Sequence, residues 1–421
     1  MNIGFFTESY LPHVNGVVNL IQSLKKGLEE QGHTVHIFAP RVRGYVDRDK
    51  NVHRFPMLFS FGFFERRMGM ELDWKISIPL LLRYARILSS LDAMHAHHML
   101  VIGMVSALYA KRKGIPFFFT NHTNYKQFER ILPLRGLNSH ILGFWLRLSA
   151  RLATSVISPG EKMKEQLREY GVKGRIRIIP NGVEIAKFVL PKREQMIRQR
   201  AKCGISETDT VLAYIGRLSK EKNLIHLLKC LEDVLKERSN VKAILVGDGP
   251  MKEELEETVL SMGLKGRVIF TGYISYVDIH NYYLLADIFV TASLSEVFPL
   301  TIIEALSSSL AVVAIDAVGT GDIIRNGYNG ILVKGTVGSF KEGLKRLLDD
   351  EELRRKIGRD ALESVKGFSV ETCIERHLAL YGEFAHPGRE RARIDLPSAF
   401  LRRFFSRIIK KNPEDIPQNY P

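Results

Sequence analysis

The sequence predicts an α/β protein built as two consecutive parallel sheets, each covered by helices. Three observations carry this expectation. Short runs rich in β-branched and aromatic residues alternate with helical patterns along nearly the whole chain. The alternation breaks in a polar stretch near 181–192, bracketed by Pro180-Asn181-Gly182-Val183 and Pro191, and then restarts. A length of 421 residues exceeds one ordinary core, and 45% hydrophobic residues suffice for two.

The elements follow in order. Strands are expected at 3–7, 34–39, 93–97, 117–120 and 155–158, with a helix over 17–31 that ends at Gly32. After the break come strands at 211–215, 242–246, 268–270, 288–291, 312–315 and 330–333. Helices are expected at 224–236 and 253–262. The division is therefore 1–190, an N-terminal domain; 191–368, a second; 369–385, a helix closing the second; and 386–421, a basic linker and tail helix. No internal sequence repeat accompanies the repeated architecture.

Composition narrows the function classes. A net charge of +15 points to an anionic partner or to a lysine-rich surface. Cys203, Cys230 and Cys373 are odd in number and far apart, the pattern of reduced thiols in the cytosol. The chain opens directly on a strand, without the basic and apolar regions of a signal peptide. No apolar run reaches the roughly 18 residues of a spanning helix. Nucleic-acid binding, suggested by charge alone, lacks a helix-turn-helix, a zinc pattern or an aromatic RNA-binding strand.

The chemistry concentrates after strands, where open α/β sheets bind ligands. Gly216-Arg217-Leu218-Ser219-Lys220-Glu221-Lys222-Asn223 follows strand 211–215 and offers two fixed cations. They suit a departing diphosphate, a task that a divalent ion performs elsewhere. In isolation this run also reads as a solvated turn. Glu296 follows strand 288–291, and Glu304 lies in the second turn of a helix expected to begin at Pro299. Carboxylates accept well from the hydroxyl pairs of a sugar ring or a ribose. Two surface glutamates are the plain alternative. Gly16 would let phosphate approach the start of helix 17–31. Gly247-Asp248-Gly249-Pro250 is a similar mark, or a tight turn only. His122 follows strand 117–120. His95 and His97 point to one strand face and His98 to the other, and no acidic or cysteine partner has ligand spacing. No metal site and no cofactor is expected.

Gly216-Arg217…Glu221-Lys222-Asn223, Ser295-Glu296-Val297-Phe298-Pro299…Glu304-Ala305, Asn15-Gly16-Val17 and Pro180-Asn181-Gly182-Val183 together resemble the family-4 retaining glycosyltransferases of GT-B fold. The likeness spans about residues 1–385. His122-Thr123-Asn124-Tyr125 and Phe6-Thr7-Glu8-Ser9-Tyr10-Leu11-Pro12 are similar to the diacylglycerol glucosyltransferase branch, near the phosphatidylinositol mannosyltransferases. The resemblance implies two Rossmann-like domains facing across a cleft, the first for the acceptor and the second for the nucleotide-sugar. It implies a catalytic set of His122, Glu296, Arg217 and Lys222. It also implies a donor-binding set of Gly16, Arg217, Lys222, Ile274, Glu296, Phe298, Pro299, Leu300 and Glu304. Arg217 and Lys222 would hold the diphosphate, Glu296 the sugar, Glu304 the ribose and His122 the sugar's orientation. The backbone near Ile274 would meet the base. Attack from the leaving-group face would retain configuration, unlike the two-carboxylate scheme of glycosidases.

Three positions depart from the family pattern. Pro299 stands for a frequent Gly and removes an N–H. Ser309 stands where a helix-ending Gly is usual, so the turn is expected to find another geometry. Asp322 replaces a frequent Glu.

The acceptor is read from basic–apolar patches. Residues 398–411 pattern as an amphipathic helix, with Phe400, Leu401 and Phe404 on one face and Arg402, Arg403, Arg407, Lys410 and Lys411 on the other. Such a helix suits an anionic headgroup layer; a closing helix packed on the first domain is the alternative. Stretches 59–86 and 130–151 add further patches. The reading is a hexosyltransferase at the inner face of the cell membrane, moving glucose from UDP-glucose to a lipid such as 1,2-diacylglycerol. The alternative is a soluble enzyme acting on a sugar phosphate, polysaccharide or small molecule, with a donor such as GDP-mannose.

Overall fold

The structure, a computed structural model, describes residues 1–13, 15–55, 83–98, 101–126, 138–189 and 193–385. The expected tail helix 398–411, stretch 59–82 and Arg135 lie outside the described residues. The first sheet comprises β1 (Asn2–Phe6), β2 (Thr34–Pro40), β3 (Val52–Phe55), β4 (Ala93–Ala96), β5 (Phe117–Thr120), β6 (Ser155–Ser158) and β7 (Ile176–Ile178). Its order is β3-β2-β1-β4-β5-β6-β7, and every pairing is parallel. The second sheet comprises β8 (Thr210–Ile215), β9 (Val241–Val246), β10 (Val268–Phe270), β11 (Ile288–Thr291), β12 (Ala311–Ile315) and β13 (Ile331–Val333). Its order is β10-β9-β8-β11-β12-β13, again all parallel.

Each sheet thus reverses its winding once, between β1 and β4 and between β8 and β11. Loops leaving the two strands at such a point diverge to opposite faces and open a crevice at the carboxyl edge. Both sheets are covered on two sides, so their central strands are almost wholly buried. Strand boundaries differ from the expected ones by a residue or so. Two strands were not anticipated. β3 is only Val-His-Arg-Phe, with alternating burial, and β7 is an exposed Ile-Arg-Ile at the sheet's end.

The helix over 370–384 corrects the expected organisation. It does not close the second domain. Cys373, Ile374, Leu380 and Tyr381 pack with Ile3, Phe5 and Leu24, in the core of the first sheet. The reason is a close approach. Gly27, in helix Gly16–Glu30, presents bare backbone, and a Cβ there would collide with Ile374. The chain crosses between domains twice, and the crossings lie side by side. Val183 N–H donates to Phe368 O at 2.9 Å and Val370 N–H donates to Val183 O at 3.0 Å.

A further tie joins the domains. Asp322 accepts from the Lys162 backbone N–H at 3.1 and 3.2 Å, at the start of helix Glu161–Glu169. A carboxylate is favoured there by orphan amides and the helix dipole. Lys162 Nζ pairs with Asp316 at 3.0 Å.

Ser309 supplies a second correction. The turn keeps the left-handed geometry, with Ser309 at φ 57°. Leu310 N–H donates to Ala305 O and Ser309 N–H to Leu306 O, both at 3.0 Å, and these bonds hold the strained residue in place.

Valine at Gly27 should lift helix Val370–Phe384 from helix Gly16–Glu30 and lower unfolding stability by about 1–3 kcal/mol. Denaturant unfolding of the variant against the parent checks this.

Candidate active site

The loops that leave the carboxyl edges of both sheets line one cleft of about 860 Å³. Every residue of the expected catalytic and donor-binding sets borders it: Gly16, His122, Arg217, Lys222, Ile274, Glu296, Phe298, Pro299, Leu300 and Glu304. Gly16 and His122 come from the first domain and the rest from the second.

On the second domain, two loops flank the winding reversal. After β8 the chain runs through Gly216 and Arg217 into a short 3-10 turn, Lys220–Lys222, and then into helix Leu224–Glu237. Asn223 makes that junction in the left-handed region, at φ 57°. Asparagine tolerates this conformation better than most residues. Its side-chain amide also donates to Ala292 O at 3.2 Å, reaching the loop after β11. Ser295 Oγ donates to Glu221 O at 3.1 Å, and Lys222 Nζ pairs with Glu296 Oε1 at 2.6 Å. The cation and the carboxylate therefore hold one another, and both are largely screened from solvent. An ammonium has three donors, so Lys222 can keep Glu296 and still meet a phosphate oxygen.

Arg217 is fixed from below. Tyr214 Oη donates to Arg217 O at 3.1 Å, and Leu218 N–H donates to Asp248 O at 2.9 Å. Gly247 and Gly249 have φ of 134° and 159°. A Cβ at either would strike the carbonyl of Gly216 or Leu218. The Gly-Asp-Gly loop is thus the wall on which the Arg217 loop rests, more than a tight turn.

Glu304 is buried, at 5% exposure, in helix Leu300–Ser307. Pro299 caps this helix from an extended conformation and lies just before its first residue, one position earlier than expected. Tyr283 Oη donates to Glu304 Oε2 at 2.6 Å. Burial raises the Glu304 pKa, while hydrogen bonds from Tyr283 and Tyr276 and the Lys187 charge pull it back. Lys187 lies 3.8 Å from the Tyr276 ring centroid. Phe298 packs edge-on against Phe368, at 5.6 Å between centroids, beside the interdomain crossing.

From the first domain, Gly16 opens helix Gly16–Glu30, capped by Asn15, whose Oδ1 accepts from Val18 N–H at 2.9 Å. A Cβ on Gly16 would stand 3.8 Å from Leu300 Cδ1 of the other domain. The two halves therefore come within a side chain's width here. His122 follows β5, and its Nε2 lies 3.2 Å from His97 Nδ1. Burial pushes the His122 pKa down to about 3, so the ring is neutral at physiological pH. The rings of His95 and His97 lie 4.3 Å apart, beneath the floor of the site. Among the described residues, no group of three or more His, Cys, Asp or Glu could hold a metal ion.

The model of glycosyl transferases group 1 matches residues 195–364, and that of glycosyltransferase family 4 matches residues 14–187. Alpha-monoglucosyldiacylglycerol synthase of Streptococcus pneumoniae is 34% identical over 323 residues, covering 75% of this chain and 71% of that protein. This chain belongs to the GT-B glycosyltransferases of the group 1 and family 4 superfamily. The Acholeplasma laidlawii protein of the same name is 26% identical, over 90% of this chain and 96% of its own length. Among solved structures, Anabaena HepE in complex with UDP superimposes with a TM-score of 0.75 at 20% identity, covering 91% of this chain and all of that one.

The cleft also has lining residues outside the catalytic and donor-binding sets that the motifs implied. Tyr214, Asp248 and Tyr276 border the cleft. Tyr214 Oη and the Asp248 carbonyl hold the backbone of the Arg217 loop, and Tyr276 hydrogen-bonds Glu304. A turn residue after a second parallel strand was the signal for Asp248; nothing local marks the tyrosines.

Alanine at Asn223 removes both the left-handed tolerance and the bond to Ala292. It should cost about 1–3 kcal/mol of stability and weaken nucleotide binding, as calorimetric titration with UDP would show. Alanine at Lys222 or Glu296 should lower turnover by about 100-fold or more while leaving the circular dichroism spectrum unchanged; steady-state kinetics check this.

Proposed function

We propose that the chain is a retaining glucosyltransferase that moves glucose from UDP-glucose to a membrane lipid such as 1,2-diacylglycerol. The observation that carries this reading is the convergence of Arg217, Lys222, Glu296, Glu304 and His122 on one interdomain cleft. The similarity to two proteins named for the product α-monoglucosyldiacylglycerol supports the sugar and the acceptor.

In this reading Arg217 and Lys222 take the diphosphate, Glu304 the ribose hydroxyls and Glu296 the glucose hydroxyls. The base lies along the backbone at Ile274, and Phe298, Pro299 and Leu300 close the sugar and phosphate side. Gly16 brings bare backbone to the phosphates when the domains close, and His122 orients the sugar from the opposite wall. The bond from the anomeric carbon to the phosphate oxygen breaks as a bond to the acceptor hydroxyl oxygen forms on the same face. The hydroxyl proton passes to the departing diphosphate. The two cations stabilise the charge that develops there, the largest contribution expected of a preorganised site. Glu296 is a poor nucleophile because Lys222 already holds it. It therefore serves as a binding group.

The membrane part of the reading draws on the first domain. Helix Asn138–Leu152 exposes Phe144 and Trp145 beside an exposed Arg151. No helix among the described residues is long and apolar enough to cross a membrane. A peripheral mode of attachment would use this face together with Phe400, Arg402, Arg403, Phe404, Arg407, Lys410 and Lys411. The domain limits 1–190 and 191–368 are retained in this proposal, with the helix of 369–385 assigned to the first domain's core.

Full-length protein should float with anionic vesicles, be released at high salt, and convert UDP-glucose and vesicle-borne diacylglycerol to a glycolipid. Glucose release from UDP-glucose without glycolipid would count against the acceptor; turnover with GDP-mannose alone would count against the donor.

A further inference from the structure

Behind His122 lies a buried histidine that the transfer scheme does not use. His97 ends the run after β4, is 1% exposed, and faces His122 with nearly parallel rings, 10° apart and 5.5 Å between centroids. Its Nδ1 is 3.2 Å from His122 Nε2, while its own Nε2 is buried without a partner among the described residues. A contact between two neutral imidazoles needs one N–H and one lone pair, so only two arrangements exist.

In the first, His97 carries its proton on Nδ1 and donates to His122 Nε2. The buried His97 Nε2 is then a bare lone pair, and His122 carries its proton on Nδ1. In the second, His122 donates from Nε2. A neutral His97 must then carry its proton on Nε2, a buried N–H with no acceptor. Unpaired buried N–H groups are the rarer and costlier case. The surroundings offer no relief. His95, the ring nearest to His97, is engaged at both nitrogens, by Tyr381 Oη at 2.6 Å and Thr120 Oγ1 at 2.7 Å. His377 donates its Nδ1–H to Cys373 O at 2.8 Å, and its bare, buried Nε2 makes no hydrogen bond to His97 or to any other described residue. Phe5 covers His97 edge-on. Burial and the neighbouring histidines, His98 among them, lower the His97 pKa well below its ordinary value, which keeps a second proton off the ring.

We propose that His97 is a positioning residue for sugar transfer: it donates from Nδ1 to His122 Nε2 and thereby fixes His122 as the tautomer that offers Nδ1–H to the cleft. His122 then acts on the donor sugar as a hydrogen-bond donor, with its ring plane set from behind. This rests on the reading of His122 as a sugar contact, and the experiment separates the two.

Nitrogen-15 correlation spectra of the imidazoles in the full-length protein at neutral pH should show His122 Nδ1 protonated and Nε2 bare; the opposite tautomer overturns the proposal. His97→Leu should lower kcat by on the order of tenfold with the KM for UDP-glucose nearly unchanged. His97→Asn, whose amide nitrogen stands close to the place of Nδ1, should recover most of that loss. In a His122→Ala background the leucine variant should have no further effect. Equal losses in the leucine and asparagine variants, or an undiminished loss in that background, would show packing alone and overturn it. Normal turnover by His122→Ala would overturn the sugar-contact reading as well. A loss at His122 with none at His97 would overturn the present proposal only.

Discussion

The site depends on the tie between the loops that leave β8 and β11. At a winding reversal these loops run to opposite faces of the sheet, and nothing in the sheet itself holds their tips together. Here three contacts do so: Lys222 to Glu296, Asn223 to Ala292 and Ser295 to Glu221. The ion pair places a cation and a carboxylate side by side in a half-buried wall, where either charge alone would be poorly solvated. The pair itself is thus electrically balanced. An incoming diphosphate adds negative charge that Arg217 and the remaining ammonium donors of Lys222 can meet without a metal ion.

The second constraint is how closely backbone segments can approach, within each half and between the two. Bare backbone does this work at the places where a side chain would collide. Gly247 and Gly249 let one loop rest on another, Gly27 seats helix Val370–Phe384 on helix Gly16–Glu30, and Gly16 meets Leu300 across the cleft. Asp322 on one domain and the amide end of helix Glu161–Glu169 on the other form a hydrogen-bonded contact beside the cleft. The paired crossings at Val183 and Phe368–Val370 give the halves a common pivot.

The residues that line the cleft were easier to read from the sequence than the packing was, for physical reasons. Arg217, Lys222, Glu296 and Glu304 were legible because each follows a strand recognisable from its own residues, and a parallel sheet delivers such positions to one edge. The all-parallel architecture was legible for the same reason. β3 and β7 were not, since four and three residues at a sheet's flanks carry too little pattern. The destination of helix Val370–Phe384 was hidden because its apolar face fits either domain until the bare surface at Gly27 is known. Ser309 shows the converse error. A residue with a poor preference for the left-handed region still adopts it where two hydrogen bonds require it.

The most direct measurement is a structure of the full-length protein with UDP bound. The diphosphate oxygens should lie within hydrogen-bond distance of Arg217 and Lys222, the ribose hydroxyls on Glu304, and Glu296, still paired with Lys222, should face the vacant sugar position. A nucleotide bound elsewhere, or a diphosphate that contacts neither Arg217 nor Lys222, would contradict it.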